Sequence, residues 1–169
     1  MSSNIDNIIL TSASFNKNGS LVISSSFDNT ARIWDSQTGN LLHTLTGHSG
    51  AVNSALFSQD GSLVITASDD NTAKIWDTRS GILLKTLEDH LASVESACFS
   101  RDGAFAVTAS RDGTARIWDT RNGTLIYTLD GHSDQLTGAS LSHDGSLVVT
   151  ASWVFQWQIT CVQSYAYQP

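Results

Sequence analysis

Cysteine is scarce in this chain. Cys98 and Cys161 are the only two among 169 residues, and they form no CxxC pair. Neither a disulfide framework nor a cysteine zinc site is implied, and no metal or other cofactor is expected. No apolar run approaches the roughly 20 residues that a membrane-crossing helix needs. The opening MSSNIDNIIL lacks both the positive start and the long apolar stretch of a secretory signal. A cytoplasmic location is therefore expected, with a nuclear one as the alternative. Basic residues are also few, 9 Lys and Arg against 16 Asp and Glu, for a net charge of −7. A phosphate-binding surface wants clustered Lys and Arg, so neither nucleic acid nor membrane is an expected partner. What remains is a globular chain, 40% hydrophobic and long enough to bury a core.

What the chain does contain is itself, repeated. Leu63–Asp77 reads LVITASDDNTAKIWD. The same stretch lies 42 residues earlier as LVISSSFDNTARIWD and 42 residues later as FAVTASRDGTARIWD. A fourth copy opens at Leu147 as LVVTAS and stops matching after Ser152. Each period holds four short strand-like runs. In the second copy Ala51–Phe57 alternates around a bulge, and Leu63–Ser68 is the apolar, β-branched run of a strand covered on both faces. Thr72–Asp77 and Ile82–Leu87 alternate again, and no helix signal is present. Turn glycines recur in phase at Gly19, Gly61, Gly103 and Gly145, and at Gly39, Gly81 and Gly123. One such sheet cannot bury both of its faces, so units must stack face to face. Four-stranded antiparallel units at a period near 40 residues predict an all-β protein built of β-propeller blades; a flat β-sandwich is the alternative.

The residues at fixed places in the period carry a resemblance. Gly47-His48, Asp89-His90 and Gly131-His132 open units, Trp34-Asp35, Trp76-Asp77 and Trp118-Asp119 close strands, and Ser26/Asp28, Ser68/Asp70 and Ser110/Asp112 sit between. Over residues 6 to 152 the chain resembles the WD-repeat propeller family. The resemblance implies a buried polar chain in each blade, His48-Ser68-Asp70-Trp76 in the second and His90-Ser110-Asp112-Trp118 in the third. Here Ser68 would accept the Trp76 indole N–H and donate to His48, whose other nitrogen would donate to Asp70. The first set has Ser26, Asp28 and Trp34 but Asp6 in place of its histidine. The fourth has His132 and Ser152, with Val154 and Thr160 where Asp and Trp belong.

Ser, His and Asp together also suit a hydrolase. A nucleophile facing an indole in a central strand, duplicated from unit to unit, is the wrong arrangement for one, so no catalytic residue and no enzyme is expected. Asp69-Asp70-Asn71 lacks the further ligands of a calcium loop, and His43 and His143 have no partners at metal spacing. The resemblance implies a non-catalytic scaffold that binds a protein or peptide on the propeller face. Carried over in phase, the partner-binding positions are Thr11, Asn53, Glu95 and Thr137, and then Phe27, Asp69 and Arg111, with Trp153 following. These positions differ in charge and size while their neighbours repeat.

The units fall at about 6–47, 48–89 and 90–131, with 132–152 a partial fourth, making an incomplete propeller of about 3.5–4 blades over 1–152. The aromatic tail 153–169 reads as a strand completing the last blade, with Ile159 in phase with Ile75 and Ile117. The abrupt loss of the period after Ser152 supports a second reading, a truncated and non-functional fragment of a larger protein. An arc of this size leaves apolar faces at its ends, so self-association or further blades are expected to close it.

Overall fold

The computed structural model describes residues 9–153 and the backbone of residues 159–164. Among these residues there are strands and no helix. The first sheet contains β1 (Leu10–Phe15), β2 (Leu21–Ser26), β3 (Thr30–Asp35) and β4 (Leu41–Thr46), paired antiparallel in chain order. The second repeats it with β5 (Val52–Phe57), β6 (Leu63–Ser68), β7 (Thr72–Asp77) and β8 (Leu83–Glu88). The third has β9 (Val94–Phe99), β10 (Phe105–Ser110), β11 (Ala115–Asp119) and β12 (Leu125–Leu129). The fourth contains β13 (Leu136–Leu141), β14 (Leu147–Ser152) and β15 (Ile159–Ser164). These are the blades of a propeller.

The second strand of each sheet is its centre. Val64 to Ser68 are all buried in β6, as are Ala106 to Ser110 in β10, because neighbouring sheets cover both faces of these strands. The turn into the third strand needs a left-handed residue, and Asn29 (φ 68), Asn71 (φ 67) and Gly113 (φ 83) supply it. Each of the first-to-second strand pairings carries a bulge at its outer end, between Leu10 and Ser12, Val52 and Ser54, Val94 and Ser96, and Leu136 and Gly138. Thr11, Asn53, Glu95 and Thr137 are therefore the extra, unpaired residues of four equivalent bulges. A bulge re-aims its side chain away from the regular pleat.

The core lies between blades. Ile23, Ala31, Ile33 and Leu45 of the first sheet pack on Val52, Ala55, Val64 and Trp76 of the second. The second and third sheets meet in the same way, and so do the third and fourth. Along the propeller axis β1 packs beside β5, β5 beside β9 and β9 beside β13, with no comparable packing of β13 on β1. The arc is open.

The tail departs from the expected register. Ile159 pairs with Ala151, the partner that Ala73 has in Ala67, so it stands two residues away from the place of Ile75. Beyond an irregularity the offset grows, and Gln163 stands opposite Val148, where Trp76 stands opposite Val64. Six residues separate Ser152 from β15, where three separate Ser68 from β7, and the pairing register of β15 is displaced from the repeat. Val154 and Trp157 lie outside the described residues.

Candidate interaction face

A buried hydrogen-bond chain ties together the second and third blades each within itself, and it runs through a different residue from the serine expected. Trp76 Nε1 donates to Thr66 Oγ1 at 2.9 Å, and His48 Nε2 lies 2.7 Å from the same oxygen. His48 Nδ1 meets Asp70 Oδ2 at 2.8 Å. Ser68 takes no part: its hydroxyl donates to the Gly50 carbonyl at 3.0 Å and accepts from the Asp70 N–H. The third blade is the same, with Thr108 between Trp118 and His90, and Ser110 on the Ala92 carbonyl. In the first blade Trp34 donates to Ser24, and Ser26 instead holds the Ile9 carbonyl. In the fourth, His132 meets Thr150 at 2.7 Å and the Ser152 hydroxyl has no partner among the described residues.

Register explains the correction. Trp76 stands directly opposite Val64. At about 3.3 Å per residue, Thr66 is roughly 7 Å along the strand on the same face and Ser68 roughly 13 Å. An indole reaches the first and not the second.

The protons follow from the donors. The indole can only donate, so Thr66 gives its own hydrogen to His48 Nε2, and a neutral imidazole carries its proton on Nδ1 toward Asp70. Burial pushes the His48 and His90 pKa down, and Asp70 and Asp112 only partly offset it, so both stay below the ordinary histidine value. Burial works against the aspartates as well. Hydrogen bonds from Thr72 and His48 nevertheless bring Asp70 below its usual value, and those from Thr114 and His90 lower Asp112 to about 2. Asp28 has no histidine and takes Arg32 at 2.6 Å instead. Asp89, standing where the second and fourth units have glycine, pairs with Arg116. Ser68, Ser110, Thr66 and Thr108 are wholly buried and hydrogen-bonded in the interior, which leaves none of them placed to attack a substrate.

On this framework one face displays the residues that vary. The N–H groups of Phe27, Asp69, Arg111 and Trp153 donate to the carbonyls of Ile9, Ala51, Ser93 and Gln135 at 2.9 to 3.0 Å. Four unlike side chains are thus held on one backbone geometry, in the order aromatic, acid, base, aromatic. Phe27 is 57% exposed and Trp153 74%.

The bulge residues divide. Thr11 is spent on the framework, bonded to Ser25 and to the Val52 carbonyl. Thr137 is exposed, with a long contact to the Ala151 carbonyl. Asn53 and Glu95 join Asp69 and Arg111 in one polar lattice across the second and third blades. Asn53 Nδ2 donates to Asp69 at 2.9 Å, and Arg111 Nε donates to Glu95 at 2.8 Å. The lattice turns on Ser93, which the sequence reading missed. Its hydroxyl lies 2.5 Å from Asp69 and 2.9 Å from Glu95, and its single proton serves one carboxylate at a time. Hydrogen bonds from Asn53 and Ser93 hold Asp69 below its usual pKa. Leu91 was missed too. It is 84% exposed beside the Asp112 turn, and the signal was a leucine where Ser49 and Ser133 stand in phase.

The WD domain, G-beta repeat family matches residues 4–35, 39–77, 81–119 and 123–153. The chain belongs to the WD-repeat family. Among curated proteins, it is similar to the Dynein assembly factor with WD repeat domains 1 of Danio rerio, 51% identical over 43 residues. The Xenopus laevis protein of that name is 49% identical and the Mus musculus one 46%, over the same length. Each match covers 25% of this chain and 10% of the relative, about one repeat of a longer protein. Repeats of this family indicate a protein-interaction scaffold.

Proposed function

We propose that this WD-repeat chain is a non-catalytic scaffold that binds an extended peptide segment of a protein partner across the face bearing Phe27, Asp69, Arg111 and Trp153. One observation carries the reading: four side chains of different chemistry stand on identical backbone hydrogen bonds, with large aromatics exposed at the two ends. Rigid, exposed aromatics provide contact area at little entropic cost, which makes Phe27 and Trp153 the anchors of such a site. Between them the Arg111–Glu95 pair and Asp69 offer one donor group and acceptors to a passing main chain. The relatives named as dynein assembly factors share about one repeat, which supports the kind of module and leaves the partner to this face.

The test is selection from a displayed random-peptide library with the whole chain as bait. Enriched peptides should lose binding to Trp153→Ala and Phe27→Ala while circular dichroism and the thermal midpoint stay unchanged. Peptides that bind these variants as well as the original chain would refute the site. Failure to enrich any sequence would favour the non-functional fragment.

A further inference from the structure

Every blade has two unlike faces, and each of the three internal seams makes the same pairing. A trailing face, exemplified by Ile23 and its neighbours, covers the leading face of the next blade, exemplified by Val52, Ala55, Val64 and Trp76. In those seams the apolar groups at the centre are fully buried. At the ends of the arc the same positions are open. Leu10, in phase with Val52, is 53% exposed; Ala13 is exposed, and Val22 and Trp34 are only half-buried. Val149, in phase with Ile65, is 40% exposed, and Ala151 beside it is exposed too.

We propose that these two faces close on each other between two copies of the chain, the trailing face of the fourth blade covering the leading face of the first blade of the second copy. The choice of a second copy follows from the molecule. Each chain carries the leading half of a pairing it already makes internally, open on its first blade, and carries at its opposite end the β14 part of the trailing half, Val149 and Ala151. The contact is head-to-tail, because the two faces differ, and two copies related by a two-fold axis make it twice. The ring would hold about eight sheets, within the roughly four to eight blades of closed propellers. The copy-to-copy seam lacks one tie. Inside the chain Ser12 accepts the Ala55 N–H and Ser96 the Ala139 N–H, the Ser54 hydroxyl makes no such bond among the described residues, and Gly138 stands at that place on the fourth blade. Apolar packing therefore carries more of this seam than of the first and third internal ones.

Light scattering behind size exclusion, over a range of concentrations, tests the proposal with the whole chain, Leu10→Asp, Val149→Asp and an equimolar mixture of the two variants. Both residues are already exposed, so each variant should keep the circular dichroism of the original chain. The expected result is twice the chain mass for the original and the single-chain mass for each variant alone. The mixture should recover the double mass with a weaker dissociation constant, because one of its two seams is intact. The original chain remaining at single mass would overturn the proposal. So would a dimer that survives either variant alone, a mixture that fails to associate, or a mass that grows without limit.

Discussion

Thr66→Val is the most informative single change in the framework. Valine has nearly the shape of threonine, so the substitution opens no cavity and alters only the hydroxyl. That hydroxyl receives the Trp76 N–H at 2.9 Å and faces His48 Nε2 at 2.7 Å, at a position with no solvent exposure. Both groups would be left buried without a partner. At about 1–3 kcal/mol for each of the two orphaned groups, the loss is roughly 2–6 kcal/mol. Thr66→Ser keeps the hydroxyl and loses one methyl, for about 1 kcal/mol. Ser68→Ala removes bonds only to the Gly50 carbonyl and the Asp70 N–H, both near solvent, and should also cost about 1 kcal/mol. Ser24→Ala in the first blade orphans one indole of a half-buried tryptophan with no histidine beside it, again about 1 kcal/mol. Equilibrium denaturation followed by tryptophan fluorescence gives the order. The reasoning fails if Ser68→Ala costs as much as Thr66→Val, or if Thr66→Val matches Thr66→Ser.

Two further outcomes are expected. The pKa of His48 and His90 is depressed in the folded state, so the unfolded chain takes up protons first as pH falls. Their contribution is complete above the unfolded histidine value of 6.5 and declines below it, with the depressed aspartates following below 3.8. The denaturant midpoint should therefore fall between pH 7.5 and 5.5, and a flat profile would contradict the neutral assignment. Asn71→Val forces a β-branched residue to a φ of 67° and should cost about 1–2 kcal/mol, while Asn71→Gly should lie within a few tenths; the thermal midpoints of the two variants check the contrast.

Strand placement was legible in the sequence because the turn glycines and the Trp-Asp ends repeat in phase, and the backbone follows them through the first three blades and the first two strands of the fourth. The relay residue was not read correctly. Thr66 and Ser68 both lie on the strand face that Trp76 addresses, both carry hydroxyls, and composition cannot rank them. Only the pairing of Trp76 with Val64 sets the distance. The tail failed for a related reason. Counting in phase assumes a constant turn length, and the connection after Ser152 is longer, so Ile159 arrives opposite Ala151 and not in the place of Ile75.

The display face shows what repetition can and cannot encode. The period placed Phe27, Asp69, Arg111 and Trp153 on equivalent backbone sites, since their N–H bonds depend only on main-chain geometry. Whether a side chain there is free or engaged depends on its neighbours in the adjacent blade, which the period does not specify. Thr11 and Asn53 occupy the same bulge. The first is drawn into the seam by the Val52 carbonyl, and the second into a lattice with Asp69 because Ser93 stands nearby. Ser93 in turn corresponds to Ile9, Ala51 and Gln135 in the other units, and its hydroxyl stands within hydrogen-bond distance of both Asp69 and Glu95, donating to one of them at a time. One residue outside the recurring motif thus determines which of the varied side chains the second and third blades keep for themselves. Phe27 and Trp153 have no such neighbour among the described residues, and they are the anchors of the proposed peptide site.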